Sequence, residues 1–517
     1  MAMNGMVATS QPLAAMAGLR MLLHGGNAVD AAVATAAALN VAEPTSTCAG
    51  GDAFALTYVA RTGEVTALNA SGRAPKAQTP DEMRRRGHTT MPAHGGLAVT
   101  APGAVAGWAD ILERHGTMTL TDVLRPAIEL AEQGFPVTEV IAGHWSSLER
   151  RADQFPTLAK TYLVDGHAPR PGEIFKNPAL ARTLRAIAEG GPDAFYRGPI
   201  AGSIVKTVQK HGGLMTHDDM AAHISTWDEP IQTDYRGVTV VECPPNGQGI
   251  VALEALNILE GFDLVAMGYG TSTYYHHLIE ATKLAFADAF AYLADPRTAN
   301  VPIKGLIDKA YAAERRTSID PKRAASPVVP GKPRDGTVYL SVIDKERNAC
   351  SFINSNYMGF GSGLAAEGVA LQNRGALFSL EEDHPNCIAP GKRPYHTIIP
   401  ALALKCGKLW MSFGVMGGFV QPQGHVQVAC NTIDFGMNPQ QALDAPRVVW
   451  HDGAQVDVED GIGDDVRSTL AALGHALLPS HDPRRYYGGG QIVAIDENSG
   501  ALLGGTEPRK DGVAIGF

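Results

Sequence analysis

The chain predicts a layered α/β sandwich. Three observations carry that prediction: paired strand signals near each end, a long helical periodicity between them, and a Pro/Gly-rich segment dividing the two regimes. With 517 residues, 45% hydrophobic and 19% charged, there is material for a large core.

Residues 11–24 and 27–40 read as two helices parted by Gly25-Gly26, with Asn27 placed to cap the second. The run DAFALTYVARTGEVTALNAS has two β-rich halves about Arg61-Thr62-Gly63, a hairpin signal. From about residue 105 to 315 the pattern is mainly helical, most clearly in HHLIEATKLAFADAFAYL at 276–293. Residues 318–336 (SIDPKRAASPVVPGKPRDG) lose that periodicity and read as an exposed linker. TVYLSVID and ACSFINSN then flank the turn Lys345–Asn348, a second strand pair, and QIVAID and DGVAIGF add short strands at the C-terminal end.

The formal net charge is −10 and the basic residues are scattered, apart from short runs such as Arg84-Arg85-Arg86, so no nucleic-acid partner is expected. No window approaches 18 apolar residues, so no membrane span is expected. The first residues lack a basic stretch ahead of an apolar one. No signal peptide is read there, and a cytoplasmic location is expected. Six widely spaced cysteines without a CxxC read as free thiols in a reducing compartment.

Common catalytic motifs fail: there is no Walker A, no HExxH and no GxSxG. Gly359-Phe360-Gly361-Ser362-Gly363 lacks the order of a dinucleotide loop. His276-His277 with Glu280 read as helix packing rather than a metal site, and His217-Asp218-Asp219-Met220 with His223 as a helix start. The junction Asp335-Gly336-Thr337 stands out as a loop ending in glycine ahead of a strand.

Several segments, in order, resemble the γ-glutamyltranspeptidase family. They are GMVATSQPLAAMAGLRMLLHGGNAVDAAVATAAALNVAEP, GGDAFALTYVARTGEVTALNASGRAP, TAPGAVAGW, PVTEVIA, HHLIEATKLAFADAFAYLADP, DGTVYLSVIDKERNACSF, PGKRPYHTIIP, GVMGGFVQPQGHVQVACNTIDFGMNPQQALDAPR and GVAIGF. Together they span nearly the whole chain. The resemblance implies an αββα four-layer sandwich of the N-terminal-nucleophile hydrolase type. It implies a precursor that cuts itself between Gly336 and Thr337. Residues 1–336 would form a large chain and 337–517 a small one, intertwined in one globular heterodimer. Mature Thr337 would be the nucleophile, its free α-amine the base. Ser355 would support it by hydrogen bond, and Gly417-Gly418 would form the oxyanion hole. Asp344 and Asn348 match the family but fall in a turn and read as structural. No cofactor or metal is implied.

The substrate pocket departs from the family. Ser71 stands where the family has its carboxylate-binding arginine, with Arg73 nearby. Leu377 replaces the ammonium-binding aspartate, Tyr357 an asparagine, and His396-Thr397 a pair of serines. A glutamyl ammonium against Leu377 would be buried unpaired. Arg374 replaces a glutamine and offers a fork for a carboxylate, with Tyr357 and His396 as pocket walls. The expected substrate is therefore a small carboxylate-bearing amide, as in the oxamate amidohydrolases of the family. On that reading Arg374→Ala raises KM for such an amide and leaves self-cleavage intact. The alternatives are a γ-glutamyl hydrolase or transferase acting on glutathione-type substrates, an acylase for a larger amide such as a cephalosporin, and an uncleaved non-catalytic scaffold.

Overall fold

The computed structural model describes residues 1–325, 338–479 and 482–517. The expected junction, Gly336 and Thr337, lies outside the described residues.

The strands of the two main sheets are, in chain order, β1 Gly5–Thr9, β2 Asp52–Val59, β3 Glu64–Ala70, β4 Thr226–Asp228, β5 Ile231–Tyr235, β6 Val238–Glu242, β7 Val338–Asp344, β8 Ala349–Ser355, β9 Ala401–Lys405, β10 Lys408–Met416, β11 Gly489–Ile495, β12 Leu502–Thr506 and β13 Val513–Gly516. One sheet runs β13-β1-β7-β8-β2-β3-β4 and the other β12-β11-β10-β9-β6-β5. Every pairing in both is antiparallel.

Side-chain alternation assigns each face. Phe54, Leu56, Tyr339 and Ile353 of the first sheet meet Val241, Leu402 and Val493 of the second in a core between the sheets. Their neighbours Ala53, Ala55, Leu340 and Phe352 turn outward under a helical layer. The outer face of the second sheet, through Val240, Ala403, Phe413 and Val415, is covered by another. The result is the αββα sandwich.

The first helical layer begins with α1 (Pro12–Leu23) and α2 (Ala28–Ala42), close to the expected bounds. Asn27 caps α2 and Asp30 returns the bond, a full capping box. Every residue of α2 is buried. Its alanines let α1 pack against it so closely that a Cβ on Gly18 would stand 2.2 Å from Thr35 Oγ1. Over the second sheet lie α3 (Gly249–Leu259), α4 (Ser272–Tyr292) and α5 (Val420–Ile433).

The expected mainly helical stretch from 105 to 315 is present, interrupted by β4 at the edge of the first sheet and by β5 and β6, which end the second. Residues on either side of the expected cut are interleaved: β7 and β8 lie between β1 and β2, and β9 pairs with β6. Among the described residues no helix is long and apolar enough to cross a membrane. All six cysteines are free.

Candidate active site

β8 places Val338 opposite Asn354 on one side and Ser355 opposite Asp52 on the other. Ser355 and Asp52 lie on the faces of their strands that carry Ile353 and Phe54, so both point into the space between the sheets. Ser355 is buried, and its Oγ accepts two hydrogen bonds. One comes from Arg374 Nη2 at 2.6 Å and the other from the Tyr357 backbone N–H at 3.0 Å. Tyr357 sits at φ 78°, a left-handed backbone that folds the chain back over this bond.

Arg374 opens a short 3₁₀ turn, Arg374–Leu377, and is fully buried. Its Nη1 donates to Thr397 Oγ1 at 2.6 Å, and its guanidinium carbon lies 5.0 Å from the Tyr357 ring centroid. Burial lowers its pKa to about 10, against the pull of the Asp52 carboxylate. Its backbone N–H donates to the Gln372 side chain, whose amide reaches Thr100.

Asp52 Oδ1 accepts from the backbone N–H groups of Gly72 (3.0 Å) and Gly103 (3.1 Å), while Oδ2 lies 3.1 Å from His396 Nε2. Burial pushes its carboxyl up to about 7, opposed first by Arg374 and then by the two N–H donors. Burial, with Arg374 and Arg393 beside it, holds His396 well below the usual imidazole range, so the ring is neutral and donates to Asp52. The sequence reading missed Asp52. Its only signal was a carboxylate opening an otherwise apolar strand, GGDAFAL.

Gly417 and Gly418 join β10 to α5 at φ 129° and 58°, angles that favour glycine. Gln248 Nε2 holds the Gly418 carbonyl at 2.8 Å and the Thr397 carbonyl at 2.7 Å, tying the glycine turn to the His396-Thr397 segment. Beside these groups opens a cleft of about 480 Å³, walled by Phe290, Tyr357, Leu377, Phe378, Tyr395 and Phe419. Tyr395 stacks on Phe419 at 5.7 Å between ring centroids. Glu381, His384 and Asn386 are among its polar lining residues, and no Arg or Lys lines it among the described residues.

Ser355, Tyr357, Arg374, His396 and Thr397 therefore meet. Ser71 and Arg73 are engaged elsewhere: Ser71 Oγ donates to Asn69 Oδ1 at 2.7 Å, and Arg73 Nη1 to the Ile224 carbonyl at 2.9 Å. Asp344 accepts from Ala28 N and Asn348 Nδ2, as a structural residue does. His276, Glu280 and His475 are near enough to one another for metal ligands. Yet Glu280 already pairs with buried Lys283 at 2.7 Å, and His276 Nδ1 meets His475 Nε2 at 2.9 Å.

A protein-family model, Gamma-glutamyltranspeptidase, matches residues 14–517. The glutathione hydrolase-like YwrD proenzyme of Bacillus subtilis (strain 168) is 40% identical, over 99% of this chain and 98% of its own. The oxamate amidohydrolase proenzyme of Klebsiella pneumoniae is 35% identical, over 99% and 98%. The crystal structure of cephalosporin acylase from Bacillus halodurans superposes with a TM-score of 0.95 at 47% identity, covering 100% of this chain and 96% of that one. Fold and likeness together define an N-terminal-nucleophile hydrolase. Within that class, the chain belongs to the γ-glutamyltranspeptidase family.

Proposed function

We propose that the chain is a precursor that cuts itself between Gly336 and Thr337, and that mature Thr337 hydrolyses an amide with a bulky apolar part. In the first reaction the Thr337 hydroxyl oxygen bonds to the Gly336 carbonyl carbon, and the C–N bond breaks. The hydroxyl proton passes to the departing nitrogen, which becomes the α-amine. Water then splits the ester, leaving a carboxylate on Gly336 and a free hydroxyl on Thr337. In turnover the α-amine takes that hydroxyl proton as the oxygen attacks the substrate carbonyl. The amine product leaves, and water releases the acid.

The observation that carries the substrate class is the 480 Å³ cleft, whose aromatic walls and Leu377 suit an apolar body and, among the described residues, offer no Arg or Lys to a glutamyl carboxylate. The likeness to a cephalosporin acylase agrees with an amide larger than oxamate. A second reading, a small carboxylate-bearing amide such as oxamate, is favoured by the buried Arg374, whose Nε has no hydrogen-bond partner among the described residues.

The test has two stages. Denaturing gels with intact mass follow cleavage of the fresh protein. The cleaved enzyme is then given phenylacetyl-p-nitroanilide, γ-glutamyl-p-nitroanilide and oxamate. Preference for the phenylacetyl amide by tenfold or more in kcat/KM is expected. Preference for oxamate selects the second reading, and preference for the γ-glutamyl amide refutes both.

A further inference from the structure

We infer that Arg374 is a positioning residue: it acts on the reaction through Ser355 and does not itself grip substrate. The inference rests on Thr337 being the nucleophile, and it sides with the first reading above against a carboxylate clamp by Arg374.

The argument is one of hydrogen-bond capacity. A serine hydroxyl has two acceptor sites and one hydrogen. Both acceptor sites of Ser355 are filled, by Arg374 Nη2 at 2.6 Å and by the Tyr357 N–H at 3.0 Å. Its hydrogen must therefore be given away from Arg374. A hydroxyl that accepts from a guanidinium is polarised into a stronger donor. Ser355 is thus held as a donor with a fixed direction, as is required of a group that stabilises a reacting oxygen.

Arg374 is fixed for this task on every side. Nη1 holds Thr397, Tyr357 covers the guanidinium, and the whole side chain is buried. The charges around it are internal as well. The Asp52 carboxyl on β2 acts on it, with His396 hydrogen-bonded to Asp52 Oδ2. Arg393 also acts on Asp52, and the Tyr196 hydroxyl lies within the field of that carboxylate. A carboxylate substrate would have to displace hydroxyls already bound at both ends of the guanidinium.

The self-cleavage reaction tests this without any substrate, because it uses the same hydroxyl. Precursor is made in a cell-free system, synthesis is stopped, and cleavage is followed by gel. The variants are Arg374→Met, Ser355→Ala, the double variant and Arg374→Lys. Each single change to Met or Ala is expected to slow cleavage at least tenfold. The double variant should be no slower than the slower single one, because Arg374 acts only through Ser355. Arg374→Lys, which keeps a donor, should recover part of the rate. If Arg374→Met shows no cooperative melt, the same cycle is run on Arg374→Lys with and without Ser355→Ala, and again the second change should add nothing. Cleavage of Arg374→Met at the wild-type rate, or losses that multiply in the double variant, overturns the inference alone. A wild-type chain that stays whole overturns the nucleophile reading and this inference with it.

Discussion

Asp52 and His396, 344 positions apart in the chain, meet at 3.1 Å with neither side chain exposed to solvent. The pair closes a polar floor in which both Nη atoms of Arg374 have internal acceptors. That closure fixes where protons reside, and the pH dependence of stability follows from it. Burial raises the Asp52 carboxyl from its ordinary 3.8 to about 7, and Glu43, buried beside Ser10, moves in the same direction from 4.5 to about 7. Between the ordinary and raised values the folded protein holds a proton that the unfolded chain has released. The stabilisation is therefore full on the acid side and is lost as pH rises from about 4 to about 7.

Asp52→Asn removes one of these protonation steps while keeping the side-chain shape. Melting temperatures across that range, measured in the uncleavable Thr337→Ala background, should fall less steeply with pH in Asp52→Asn than in its parent. Glu43→Gln should flatten the curve in the same way. Parallel curves for parent and variant would refute the assignment of these carboxyls.

Much of this was legible in the sequence, and the parts that were not share a cause. The first hairpin, the Asn27 cap and the strand pair after the linker are local patterns, and each is present. β5 was overlooked although Ile231, Thr233 and Tyr235 alternate inward, because five residues are a weak signal beside long helices. The convergence of Ser355, Tyr357, Arg374, His396 and Thr397 came through the family resemblance. What Arg374 does there depends on Asp52 from a distant strand, and no spacing rule connects the two. The cleft wall is similar: Phe290 comes from α4 and Phe419 from the turn before α5, and only the packing of the second helical layer brings them within 5.6 Å.

Leu377 is the point at which that cleft can be tested. It is an apolar residue between Ala376 and Phe378 in the wall. Leu377→Asp places a carboxylate among aromatic rings, and the ionised group must be desolvated again whenever an apolar amide binds. A cost of about 1–3 kcal/mol corresponds to a rise in KM for phenylacetyl-p-nitroanilide of about fivefold to 150-fold. The same change should not create γ-glutamyl hydrolysis, because both ends of Arg374 are already bound. An unchanged KM would remove Leu377 and its wall from the binding site.

Lys283 and Glu280 form a fully buried ion pair at 2.7 Å, and between them they hold both backbone groups of Ala325. Breaking such a pair from one side leaves an uncompensated charge in the core. Lys283→Met should destabilise the protein by about 3–5 kcal/mol. The double change Lys283→Met with Glu280→Gln removes both charges and should recover part of the loss. Thermal melts of the two variants decide it. Equal losses would show that the pair acts by shape and not by charge.

The last prediction concerns Thr337 itself. In the proposed chemistry one oxygen serves twice, first against the Gly336 carbonyl and then against substrate, so both reactions should fail together when it is removed. Thr337→Ala should remain a single chain of 517 residues with no amidase activity. Thr337→Ser keeps the hydroxyl and the future α-amine but loses the methyl that restricts its χ1 rotation. It should still cut at the same bond, more slowly than the parent, because the oxygen spends less time in the attacking rotamer. Intact mass of the products, followed over hours, reads the position of the cut and the rate together. Cleavage of Thr337→Ala at the same bond would mean that another group performs the first attack, and the shared-nucleophile scheme would fall.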